Sequence, residues 1–193
     1  MKRKKGLCFY RKRKKVSSDA VREVGNYIFG IIVAVSTAFF LVYSFGMRTS
    51  VIGVSMENNL YNGQTIFVNQ IAYLLFPPDA GDVVVFLPNG NINTHYYIKR
   101  VVGVPGDTVE FKDGRLYVNG VMEEDAGYDK VADPGIAEEP IRIGVDEFFV
   151  LGDNRNNSED SRSGNIGLVK RNQIIGKAWL HMGYEEEGMG FIN

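Results

Sequence analysis

The chain has 193 residues, a formal net charge of −1, 45% hydrophobic residues and 22 glycines. That length predicts one compact domain, and so many glycines predict frequent turns. A single cysteine, Cys8, and two histidines 86 residues apart, His95 and His181, exclude a disulfide framework, a papain-like or sortase-like thiol enzyme and a Cys/His metal cluster.

The charge is unevenly spread. Residues 1–18, "MKRKKGLCFYRKRKKVSS", hold nine Lys/Arg and no acid, whereas from Gly46 onward there are 12 basic and 21 acidic residues, a net of −9. Between these regions Val24 to Met47 carries no charge. Its apolar heart, Tyr27 to Phe45, is 19 residues long, about 28 Å as a helix and close to the hydrocarbon thickness of a bilayer. Tyr27 and Tyr43 stand near its ends, as interface aromatics do. A cleaved signal peptide would have a shorter apolar region and a small-X-small site after it, and "YSFGMRTSVIG" offers only a weak one. The expectation is an uncleaved transmembrane helix over 26–46, with a basic cytoplasmic tail at 1–25 and an extracytoplasmic domain at 47–193. A basic run in this place fits a lipid bilayer better than nucleic acid.

Beyond the span the chain reads as β-strands. "TIFVNQIAY", "GDVVVFLP", "THYYIKRVVGV", "DTVEFKDGRLYVNGV" and "DEFFVLGD" are β-rich runs bounded by Gly, Pro, Asn and Asp, and "KDGR" is a hairpin turn. Residues 122–141, acidic and turn-rich, read as a surface loop or an exposed excursion of the domain. The C-terminal "GYEEEGMGFIN" holds no second apolar span, which predicts a single-pass protein.

Within "YYIKRVVGV" two cations are adjacent, and alternation sends Lys99 and Arg100 to opposite faces. One can face water, while Lys99 lies in line with Tyr97 and Val101. Burial disfavours an ammonium group and lowers its pKa, so an inside lysine is a candidate general base; a surface lysine on an edge strand is the alternative. Ser55, in "VIGVSMENNLYNGQ", is either a turn serine or the nucleophile such a base would activate. With only two histidines available, Ser-Lys is the natural alternative to a Ser-His-Asp triad. No "GxxxxGK" phosphate loop occurs. "LGDNRNNSEDSRSGNIGLV" is dense in polar groups, and Asp160 and Arg162 are placed to pair or to brace neighbouring loops.

These stretches together resemble the bacterial type I signal peptidases, membrane-bound Ser/Lys endopeptidases that remove export signals. "GVSMENNL" resembles the family's "GxSMxPTL", "GDVVVF" its "GDIVVF", "YIKRVVGVPGD" its lysine box, and "GDNRNNSEDSRSGNIG" its "GDNRxNSxDSRxxGxV/I". The set covers roughly residues 25–182.

The resemblance implies a mostly β fold: a coiled antiparallel sheet with a small inserted β-subdomain, behind one N-terminal transmembrane helix. It implies Ser55 as nucleophile and, through its backbone N–H, oxyanion donor, with Lys99 as general base. Ser158 matches the hydroxyl that orients the amine, and Asp160 with Arg162 the supporting pair. Met56, Leu60, Tyr97 and Ile98 match positions lining shallow pockets for small side chains. The implied partners are exported pre-proteins bearing signal peptides, cut after Ala-X-Ala, with no metal, cofactor or nucleic acid.

Two positions depart from the family pattern. Gly53 stands where one branch has a second oxyanion-donating serine, and Asn58-Asn59 replaces Pro-Thr. Losing the proline removes a fixed φ, which predicts a looser nucleophile loop or a divergent substrate preference. The rival readings are a self-cleaving repressor, which would carry a DNA-binding domain and no membrane span, and a catalytically silent membrane-anchored binding module.

Overall fold

A computed structural model describes residues 17–74, 76–90, 95–123, 130–184 and 188–192. Cys8, most of the basic tail, residues 124–129 of the acidic segment and residues 185–187 of the C-terminal stretch lie outside the described residues. The chain divides into two compact units, one ending at Phe40 and the other spanning Leu41–Asn193.

The helix α1 runs Ser18–Phe45. Ser17 starts it: its Oγ accepts the Asp19 N–H at 3.2 Å and its carbonyl accepts the Val21 N–H at 3.1 Å. Its 28 residues make about 42 Å of helix. Val24, Tyr27, Phe29, Ile32 and Phe39 are all more than half exposed, so apolar side chains face outward around the helix. Among the described residues it is the one helix long and apolar enough to cross a membrane.

Among the described residues twelve short strands follow: β1 (Met47–Ser50), β2 (Thr65–Asn69), β3 (Val83–Phe86), β4 (Tyr97–Gly103), β5 (Thr108–Lys112), β6 (Arg115–Val118), β7 (Val121–Met122), β8 (Ile141–Arg142), β9 (Glu147–Leu151), β10 (Val169–Lys170), β11 (Ile174–His181) and β12 (Gly190–Phe191). All pair antiparallel. The larger sheet has the order β1-β2-β11-β3-β4-β9-β10, with β12 on β11. Register shifts in β11 and between β4 and β9 bend it, as bulges do. The fold is therefore mostly β, with a coiled antiparallel sheet.

β3 is buried at every position, as a central strand covered on both faces must be. Its residues divide between two cores, Val83 and Val85 packing with Met56, Leu60 and Ile66, and Val84 and Phe86 with Val101, Phe148 and Val150.

Between β4 and β9 the chain leaves this sheet to build a second one, β7-β6-β5-β8. Its Asp113-Gly114 turn has φ of 53° and 74°, joining Lys112 to Arg115 across the hairpin expected at "KDGR". At the exit point Gly103 leaves no room for a side chain, since a Cβ there would lie 2.5 Å from Ile143 and 2.8 Å from Val109.

The structure departs from the sequence expectations in two places. The 122–141 segment is not only a surface loop: Val131 and Ala137 are buried in the second core and Ile141–Arg142 forms β8. These apolar residues close the open side of the small sheet. The sequence reading also passed over β11, the eight-residue strand between β2 and β3.

Candidate active site

Ser55 lies on the loop between β1 and β2. The loop is pinched at its base, where the Val51 N–H donates to Gln64 O and the Gly63 N–H to Val51 O, both at 2.8 Å. Gly53 turns the chain at φ +86° and donates its N–H to Asn62 Oδ1 at 2.9 Å. Met56 and Leu60, both fully buried, anchor the segment after the serine. Ser55 itself is left half-buried at the loop's rim.

Lys99 lies in β4, paired with Val84 of β3, and is 4% exposed. Its Nζ is 2.6 Å from Ser55 Oγ and 5.6 Å from the centre of the Tyr97 ring, the neighbour two residues back along the strand. Burial lowers the Lys99 pKa from 10.5 to about 8. The carboxylates of Asp160, Glu159 and Asp153 oppose that shift, and Arg162 adds to it. The neutral form of this amine, a minority below pH 8, is therefore far more accessible near physiological pH than in an ordinary lysine, and it is free to accept a proton.

The neighbouring cation has a different solution. Arg100 does not simply face water: its side chain is 15% exposed and grips buried Asp153 through Nε to Oδ1 at 2.9 Å and Nη2 to Oδ2 at 2.8 Å, while Nη1 donates to Gly81 O at 2.8 Å. The two-pronged ion pair offsets the cost of placing a charge beside the sheet.

The loop after β9 completes the site. The Asn154 N–H donates to Ser55 O at 3.0 Å. Gly152 fits because a Cβ there would collide with both the Ser55 carbonyl and Ser158 Oγ. Asp160 and Arg162 form a buried pair at 2.9 Å, and Arg162 also donates to Arg155 O at 2.5 Å and Asp133 O at 3.1 Å. Asp160 in turn accepts the Gly152 N–H at 3.1 Å. Removing one partner of such a buried pair costs about 3–5 kcal/mol.

The Ser158 hydroxyl does not make its expected hydrogen bond to the Lys99 amine. Its Oγ is buried without a hydrogen-bond partner, while Lys99 Nζ is directed at Ser55 Oγ.

A cleft of about 260 Å3 opens over Ser55 and Lys99. Met56, Tyr97 and Ile98 line it, as do Val51, Ile52, Val54 and Tyr96. Leu60 does not: it packs in the core with Met56 but lies outside the cleft's lining. His95, Asn157 and Glu159 add polar edges that the sequence reading did not assign to the cleft, and Tyr97 Oη donates to Glu159 at 3.2 Å. His181 is engaged elsewhere, its Nδ1 accepting from Gln64 Nε2 at 2.9 Å. Among the described residues no group of three or more His, Cys, Asp or Glu side chains is arranged to hold a metal ion.

A serine with a buried amine against it, under an apolar cleft, suits acyl transfer. A family model described as "Signal peptidase, peptidase S26" matches residues 23–182.

The chain belongs to the signal peptidase family, S26.

Signal peptidase I of Bacillus amyloliquefaciens is 32% identical over 184 residues, covering 85% of this chain and 90% of that protein. Signal peptidase I S of Bacillus subtilis (strain 168) is 36% identical over 159 residues, covering 76% of this chain and 82% of the relative. The crystal structure of a signal peptidase I from Enterococcus faecalis V583 shares 31% identity, covers 52% of this chain and 95% of its own, and superposes with a TM-score of 0.41. Family and relatives identify a bacterial type I signal peptidase, a serine endopeptidase that processes signal peptides, and the length and apolar composition of α1 fit a membrane anchor.

Proposed function

We propose that Ser55 is the nucleophile and Lys99 the general base of signal-peptide cleavage. The observation that carries this reading is the 2.6 Å approach of Nζ to Oγ by an amine whose pKa is lowered to about 8. Neutral Lys99 takes the Ser55 proton as Oγ attacks the scissile carbonyl, and the Ser55 N–H steadies the oxyanion. The lysine proton passes to the leaving amine, and Lys99 then activates the water that hydrolyses the acyl-enzyme. Asp160 and Arg162 support the loop that bears Ser158. Ser158, whose hydroxyl makes no bond to the amine in this structure, is the residue that the family pattern casts in steadying the amine during turnover.

Met56, Tyr97 and Ile98 give the cleft small, apolar subsites, suited to alanine-sized side chains at −1 and −3 of an exported pre-protein. The basic tail holds the N-terminus in the cytoplasm, so residues 47–193 work as a unit on the outer side of the membrane, where signal peptides are presented.

The experiment is to incubate the purified full chain with a pre-protein ending its leader in Ala-X-Ala and to sequence the new N-terminus. Cleavage after the second alanine is expected, with none from Ser55→Ala or from Lys99→Arg, whose guanidinium stays protonated. Turnover by Ser55→Ala above an enzyme-free blank would overturn the mechanism.

A further inference from the structure

The Asn58-Asn59 pair, where the family pattern has Pro-Thr, occupies a backbone that proline cannot adopt. Asn58 has φ +80°, whereas the proline ring holds φ near −65°; asparagine is among the few residues that tolerate the left-handed region. The turn this permits is tight: the Met56 carbonyl accepts the N–H groups of both Asn59, at 3.1 Å, and Leu60, at 2.8 Å. Leu60 is thereby driven into the core. The Asn59 carboxamide is carried across to Asp153, where Nδ2 donates to Oδ2 at 2.7 Å.

That carboxylate is the one held by Arg100, the residue next to Lys99. A closed ring results. It runs from Ser55 along the loop to Asn59, across to Asp153, on to Arg100 and through one peptide bond to Lys99, and returns from Nζ to Ser55 Oγ. The Asn154 N–H to Ser55 O bond stitches the same Asp153 loop to the nucleophile's backbone. The loop is thus pinned rather than loosened by the loss of proline.

We infer that Asn59 is a positioning residue that acts through Asp153 and Arg100 to hold Ser55 at bonding distance from Lys99, with Asn58 supplying the left-handed turn that brings it there. The inference rests on the Ser55–Lys99 reading. The pair does by a side-chain brace what a proline does by a fixed φ.

The test is a double-mutant cycle with the full chain in detergent micelles, measuring kcat and KM on an Ala-X-Ala peptide. Losing a hydrogen bond to a charged acceptor predicts that Asn59→Ala lowers kcat by about tenfold or more with KM within about twofold. In an Asp153→Asn background the same change should cost less than about twofold, because the carboxylate that grips Arg100 with both oxygens is gone and Asn59 has little left to brace. Equal losses in the two backgrounds, or no loss in the first, would overturn the inference.

Should Asp153→Asn fail to fold, Asn58 decides: Asn58→Gly, which keeps the positive φ, should retain a kcat several-fold above that of Asn58→Pro, and equal values would refute the turn argument. Ser55→Ala separates the two levels. If it stays active the dyad reading falls; if it is inactive while Asn59→Ala keeps the parental kcat, only the brace falls.

Discussion

Lys99→Met should make the protein more stable and inactive at once. Lys99 is buried with its pKa lowered from 10.5 to about 8. Below pH 8 the amine is protonated in both folded and unfolded chains, and the folded state carries the full cost of that buried charge, about 3 kcal/mol at 1.36 kcal/mol per pH unit. Between about 8 and 10.5 the unfolded chain binds the proton and the folded one does not, so stability rises with pH and the penalty fades. Methionine fills similar volume without a charge. It also leaves Ser55 Oγ without its 2.6 Å partner, which subtracts about 1 kcal/mol. The net gain is about 2 kcal/mol at pH 7, shrinking to a few tenths at pH 9.5. At pH 7 that raises the unfolding temperature by about 4–8 °C for a chain of this size. Thermal unfolding of parent and variant in detergent, followed by near-ultraviolet circular dichroism at the two pH values, measures it. A variant less stable than its parent at pH 7, or a gain that does not shrink with pH, would refute the account of Lys99 as a charge held at a cost.

Single-turnover cleavage should climb about tenfold per pH unit below pH 8 and level off above it, following neutral Lys99; an acidic optimum abolished by changing His95 would assign the base to histidine instead. A substrate with leucine at −1 should be cut far more slowly than one with alanine, because Met56 and Ile98 are already packed into the core behind the cleft; equal rates would reject the subsite assignment. Protease added to intact cells should degrade the peptidase domain and spare an epitope placed in the basic tail; the reverse pattern would reject the orientation.

How much of this was legible in the sequence depended on how local each signal was. The uncharged run Val24–Met47 marks most of α1 because a long apolar helix is a property of one continuous stretch; the charged first turns from Ser18 lie outside it. The Asp113-Gly114 turn and the Asp160–Arg162 pair each lie within a few residues and could be read directly. Lys99 and Ser55 are 44 residues apart; each was individually ambiguous, and only the combined motifs joined them. The Arg100–Asp153 pair, 53 residues apart, left no local trace, so the second cation of β4 read as a water-facing one. β11 escaped because Gly176, Lys177 and two register shifts break the alternation that marks a strand. Leu60 matched a pocket position by pattern, yet the turn at Asn58 sends it inward.

The place of β11 has a consequence for the order in which the sheet can be completed. Ser55 follows β1 and Lys99 lies in β4, and in the sheet the strand that joins the two flanks, β11, is supplied by residues 174–181, near the end of the chain. Such long-range pairing forms late. Without β11, β2 and β3 share no hydrogen-bonded neighbour, and the larger sheet stays in two parts. The sheet that seats both side chains is therefore closed only by residues 174–181, far downstream of each of them.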